Sequence, residues 1–113
     1  MIKLEIIVKP KSEKYLEFSQ SLNFIKSDLE QLCNSVTISE EDKVFSIITD
    51  LSSVKQLTTV LHSTELSILS GAIRILGEKT EVIIHGVGYR KKCSDLREIR
   101  LNYSKTKNEK VNC

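Results

Sequence analysis

The stretch that decides the fold is Leu51–Gly77, LSSVKQLTTVLHSTELSILSGAIRILG. Ser53 followed three residues later by Gln56 matches a capping box, so a helix is predicted to open there, with Leu57 and Leu61 marking its buried side. At Ser63-Thr64 the chain can cap afresh, placing Glu65 in a new first turn. Leu66, Leu69, Ala72, Ile73 and Leu76 then continue an apolar face, and Gly77 stands where a C-terminal cap belongs. The spacing therefore predicts two short helices, broken at a Ser-Thr pair and flanked by strands.

Working outward, Ile2, Leu4, Ile6 and Val8 alternate with Lys3, Glu5, Ile7 and Lys9, the pattern of a strand with one face toward a core, and Pro10 ends it. Ser12 is expected to cap the first helix, in which Tyr15, Phe18, Leu22, Ile25, Leu29 and Leu32 recur at spacings of three and four. Val36 and Ile38, the acidic turn Glu40-Glu41-Asp42 and the run from Val44 to Thr49 read as a β-hairpin. A further strand follows at Thr80–Val87. The order β-α-β-β-α-β predicts an α+β, ferredoxin-like domain over residues 1–88, with helices on one face of an antiparallel sheet. Residues 89–113 read as a basic extension in which 97–103, REIRLNY, alternate and are expected to add a fifth strand before a polar tail.

Composition narrows the class of protein. With 113 residues, 40% apolar, 28% charged and a net charge of +2, the chain is a single domain with no strong pull toward nucleic acid or membrane. A domain of this size leaves apolar surface incompletely covered, so a homodimer is expected. Charge is uneven: residues 1–88 carry 12 acidic against 9 basic residues, and 89–113 carry 3 against 8. Leu96, Ile99, Leu101 and Tyr103 interrupt the basic run, which favours a structural or solvated tail over a nucleic-acid site. Cys33, Cys93 and Cys113 are odd in number and lack CxxC spacing, so neither a disulfide framework nor a metal site is indicated. Reduced thiols and the absence of a signal-peptide pattern lead to a cytoplasmic expectation. No apolar run reaches the roughly 20 residues of a spanning helix.

Few residues offer chemistry. His85 alternates with Ile83 and Val87, so it is expected to point into a cleft between sheet and helices, where an imidazole can serve as a general base; the competing reading is a hydrogen-bonded sheet histidine. His62, at the helix break, reads as solvated or capping. Ser70 and Arg74 share a helix face, and Arg74 is a candidate to orient an anionic or quinone-like substrate. Tyr15 and Phe45 are further substrate-binding candidates that also suit a core. Cys93 lies beside Arg90, Lys91 and Lys92, cations that lower a thiol's pKa, although an incidental surface cysteine is the simpler account. Gly86-Val87-Gly88 lacks the third glycine and following helix of a dinucleotide fingerprint and reads as a strand end.

The run Leu51-x-Ser53-x-x-x-Leu57-x-x-x-Leu61-x-Ser63-x-x-Leu66, between a hairpin and a strand, resembles the second half of the antibiotic biosynthesis monooxygenase domain. That resemblance covers about residues 1–88. It implies a dimeric α+β barrel and a cofactor-independent monooxygenase acting on a small aromatic or quinone-like molecule. Departures limit the inference: Leu51 stands where active members commonly have Trp, the first strand has no Asn, and Ser70 occupies the position matching the His of the haem-degrading branch. Two functions are thus carried forward, a small-molecule oxygenase with His85 or Arg74 assisting and a non-catalytic dimeric module that binds a small ligand or a protein. A closed apolar pocket lined by His85 would favour the first; an interior filled by side chains would favour the second.

Overall fold

Alternation along the first strand sets the frame. The computed structural model describes residues 2–86 and, for the backbone, 89–93. Strand β1 (Ile2–Pro10) turns Ile2, Leu4, Ile6 and Val8 to the helix layer and Lys3, Glu5, Ile7 and Lys9 to the other face. Helix α1 (Tyr15–Leu32) follows a 3₁₀ turn at Ser12–Lys14 and buries Phe18, Leu22, Ile25 and Leu29. That turn displaces the expected cap: the Ser12 hydroxyl points to Glu13, and Lys14 precedes α1 without a side-chain capping bond.

Strands β2 (Ser35–Glu41) and β3 (Val44–Leu51) form the predicted hairpin. Its two-residue loop, Asp42-Lys43, has φ of 52° and 63°, the left-handed pair that a type I′ hairpin turn requires. Helices α2 (Val54–Leu61) and α3 (Thr64–Leu76) break where the sequence predicts. Ser53 Oγ accepts from Gln56 N–H at 3.1 Å, and Ser63 Oγ accepts from Leu66 N–H at 3.2 Å. The reciprocal arm of the first cap runs from Ser52 N–H to Gln56 Oε1 at 2.6 Å, one residue earlier than in the standard box.

Gly77 closes α3 in extended backbone, φ −86° and ψ 144°, and not in the left-handed conformation usual for a glycine cap. Space demands it: a Cβ would lie 2.5 Å from the Ile73 carbonyl oxygen. The chain then enters β4 (Gly77–Gly86) and β5 (Tyr89–Cys93), which pair antiparallel. Sheet order is β2-β3-β1-β4-β5, with β1 central and antiparallel to both β3 and β4, the ferredoxin-like arrangement plus one strand. The expected strand at 97–103 lies outside the described residues, and the observed fifth strand occupies a segment in which the sequence shows no clear alternation.

Helices α1, α2 and α3 cover one sheet face. Phe18, Leu4, Ile47, Leu57 and Ile84 are 0% exposed at that junction, and Thr49, the buried polar residue there, donates from Oγ1 to the Leu4 carbonyl at 3.3 Å. Among the described residues no helix is long and apolar enough to cross a membrane.

Candidate functional site

Of the sequence-derived candidates, Tyr15 and Phe45 come together. Their rings stack with centroids 5.6 Å apart, and Phe45 meets Phe18 edge-on at 5.3 Å. Phe45 is buried, whereas the half-buried Tyr15 directs its hydroxyl to the Glu40 carboxylate. By accepting that hydrogen bond Glu40 holds the phenol above its ordinary titration range, so Tyr15 is a fixed donor and not a base. The cluster closes one end of the core.

Ser70 and Arg74 lie apart from it on α3, Ser70 half-buried and Arg74 exposed. His85 lies on the opposite side of the sheet. Val82 and Ile84 are the β4 residues that face the helices, so His85 belongs to the open face with Glu81 and Ile83. The sequence-derived position, a cleft between sheet and helices, is therefore corrected. Three consecutive apolar residues, Val82-Ile83-Ile84, made either face eligible for the core.

On the open face His85 Nε2 contacts Glu5 Oε1 at 3.0 Å, and the other Glu5 oxygen accepts from Ser46 Oγ at 3.3 Å. The three residues come from β4, β1 and β3, neighbours in the sheet. An imidazole held by a carboxylate at one nitrogen can accept or donate a proton at the other, which makes this the most chemically capable group on the described surface. Next to it Lys3 Nζ lies 3.5 Å from Asp50 Oδ1, and Ser35 Oγ donates to Asp50 Oδ2 at 2.5 Å. The Ser35 hydrogen bond, aided by Lys3, holds the Asp50 carboxyl below its usual range. Ile7, Val44 and Ile48 are half-buried among these charges, and Ile83 is buried.

Cys33, at the end of α1, is 7% exposed and its thiol is pushed up to about 11 by burial. It is a structural thiol, not a nucleophile. Cys93 and Cys113 as reactive groups lie outside the side chains described. Among the described residues, no cluster of three or more His, Cys, Asp or Glu is placed to hold a metal ion.

Sequence reading missed two features. One is the Glu5–His85 contact, whose signal lies in the strand order: with β1 beside β4 in register Lys3 to His85, Glu5 falls diagonally next to the imidazole. The other is a groove of about 400 Å³ on the outer side of the helix layer, between α1 and α3, lined by Glu17, Gln20, Ser21, Phe24, Ile25, Ile68, Leu69 and Ala72. Its signal was the off-stripe apolar residues Phe24 and Ile68.

No protein-family model matches the sequence, and no curated protein matches it. Among solved structures, an antibiotic biosynthesis monooxygenase superposes with a TM-score of 0.69 at 14% sequence identity, over 76% of this chain and 97% of the other. A Nitrosomonas europaea protein named for the same activity gives a TM-score of 0.63 at 13% identity, over 79% of this chain and 100% of the other. The chain thus has the ferredoxin-like fold of those monooxygenase structures, as the resemblance in its second half implies. At such identities the likeness is one of backbone architecture.

Proposed function

We propose that this chain is a dimeric binding module built on the monooxygenase-like fold, not an oxygenase working from a pocket between sheet and helices. The supporting observation is that this space is taken up by the chain's own side chains. Leu51, at the position where active members of the resembling family commonly have Trp, is 0% exposed in the core, as are Leu4, Phe18, Ile47 and Leu57. Dimerisation is argued from the open sheet face, where Ile7, Val44 and Ile48 lie among groups of both signs, Glu5, Lys3, Asp50 and His85. Two such faces packed together would shield the apolar side chains, and opposite charges from two copies can meet across the twofold.

Sedimentation equilibrium tests this. The wild type is expected to be a dimer at micromolar concentration, and Ile48→Glu a folded monomer with unchanged far-UV circular dichroism. A wild type that stays monomeric at near-millimolar concentration would end the dimeric part of the proposal.

A second reading is favoured by the Glu5–His85 contact: a cofactor-independent monooxygenase for a small aromatic or quinone-like molecule, with His85 as base on the open face. Oxygen uptake measured over a panel of phenols and quinols separates the two. Uptake present in the wild type and lost in His85→Gln supports catalysis; none with any member of the panel supports the binding module.

A further inference from the structure

The outer side of the helix layer carries apolar surface that the fold does not use. Phe24 on α1 is 84% exposed, and Ile68 and Ile75 on α3 are 60% and 65% exposed. Phe24 and Ile68 flank the groove whose floor is formed by Ile25, Leu69 and Ala72. The two helices run antiparallel, with the start of α1 tied to the end of α3 by Lys11 N–H to the Leu76 carbonyl at 2.8 Å. A groove between two antiparallel helices has the shape to take a third.

Charge around it is one-sided. Helical spacing places Asp28, four residues after Phe24, on the face of α1 that lines the groove, and Glu65, three residues before Ile68, on the corresponding face of α3. Antiparallel packing brings both to the same end, and neither is in an ion pair among the described residues. The cations near the other end are engaged: Lys14 pairs with Glu17 at 3.3 Å, and Lys11 Nζ donates to the Ile75 carbonyl at 3.1 Å. Arg74 is exposed and, two residues after Ala72, falls off the helix face that lines the groove.

We propose that the α1–α3 groove docks a basic amphipathic helix of a partner protein, its apolar stripe between Phe24 and Ile68 and its Lys or Arg side chains beside Asp28 and Glu65. This deepens the binding reading above and rests on it, but it uses the face opposite the open sheet and so does not require the dimer. The surface helices of a second copy are poor occupants: α1 carries Glu17, Asp28 and Glu30 against Lys26, and α3 carries Glu65 against Arg74, so neither is a basic helix. Three exposed apolar side chains also fall short of the roughly 800 Å² per partner of a stable protein interface, while they suit one helix.

The test is an amide-detected NMR titration of the full chain with two synthetic helical peptides that share leucines at i, i+3, i+4 and i+7 and differ in carrying Lys or Glu elsewhere. The Lys peptide is expected to shift Phe24, Ile68 and Ala72 and to bind about tenfold or more tighter than the Glu peptide. Ile68→Ser, a surface change that leaves the circular dichroism intact, should weaken it by about tenfold. Asp28→Asn combined with Glu65→Gln should remove most of the preference for Lys and flatten the salt dependence. Equal binding of both peptides, shifts confined to the open sheet face, or concentration-dependent shifts at Phe24 and Ile68 in the chain alone would each overturn the proposal, the last by assigning the groove to a second copy. A monomeric protein that binds the Lys peptide would sink the dimer and leave the groove assignment standing; a dimer that binds neither peptide would do the reverse.

Discussion

Gly71 and Gly77, six positions apart, sit in opposite steric situations. A Cβ at Gly71 would meet nothing within 4 Å, whereas one at Gly77 would strike the carbonyl oxygen that accepts the cap hydrogen bond. Gly71→Ala is therefore expected to stabilise α3 by about 1 kcal/mol, raising Tm by about 5 °C. Gly77→Ala should cost about 2 kcal/mol, because the obstructing atom is backbone. Differential scanning calorimetry of the two variants gives both signs. At Cys33 a folded pKa of about 11 exceeds that of an unfolded thiol. Stability is therefore unaffected below the unfolded value near 8.5 and declines as pH climbs toward the folded one, since the unfolded chain loses the proton first. At pH 7.5 the smaller thiolate fraction makes alkylation of native Cys33 about two orders of magnitude slower than that of a model thiol, a ratio that timed iodoacetamide labelling read by mass spectrometry measures.

Elements were legible where their signals are local. The serines at 53 and 63 cap helices because their hydroxyls reach amides three residues on, a relation written entirely in neighbouring residues. Ser12 resembles them in sequence but is separated from α1 by the 3₁₀ turn, so its hydroxyl never meets a helix amide. In urea unfolding monitored by circular dichroism, Ser63→Ala should lose about 1 kcal/mol while Ser12→Ala changes stability by less than about 0.5. Strand β5 was not legible, since Tyr-Arg-Lys-Lys-Cys shows no alternation and acquires its place from an adjacent strand. The site was harder still. Alternation sorts β4 into two faces without saying which one the helices cover, and the His85–Glu5 contact spans 80 residues of sequence. Proximity of that kind is created by topology and not by spacing.

For the molecule as a whole, two phenylalanines on one helix measure how sharply inside and outside are divided. Phe18 is 0% exposed and Phe24 is 84% exposed. Phe18→Ala should cost about 4 kcal/mol, a large share of the roughly 5–15 kcal/mol available to a domain, whereas Phe24→Ala should stay within about 0.5. Equilibrium denaturation of the pair checks this, and it also identifies Phe24 as a surface residue that serves no folding purpose. Strand β2, last in the sheet order among the described residues, presents the run Ser-Val-Thr-Ile-Ser-Glu-Glu, with five of its seven residues exposed. Paired carboxylates at the end of an outer strand repel incoming copies of themselves, so this border resists the strand-by-strand accretion that seeds fibrils, and concentrated solutions of the protein are protected from polymerising along it.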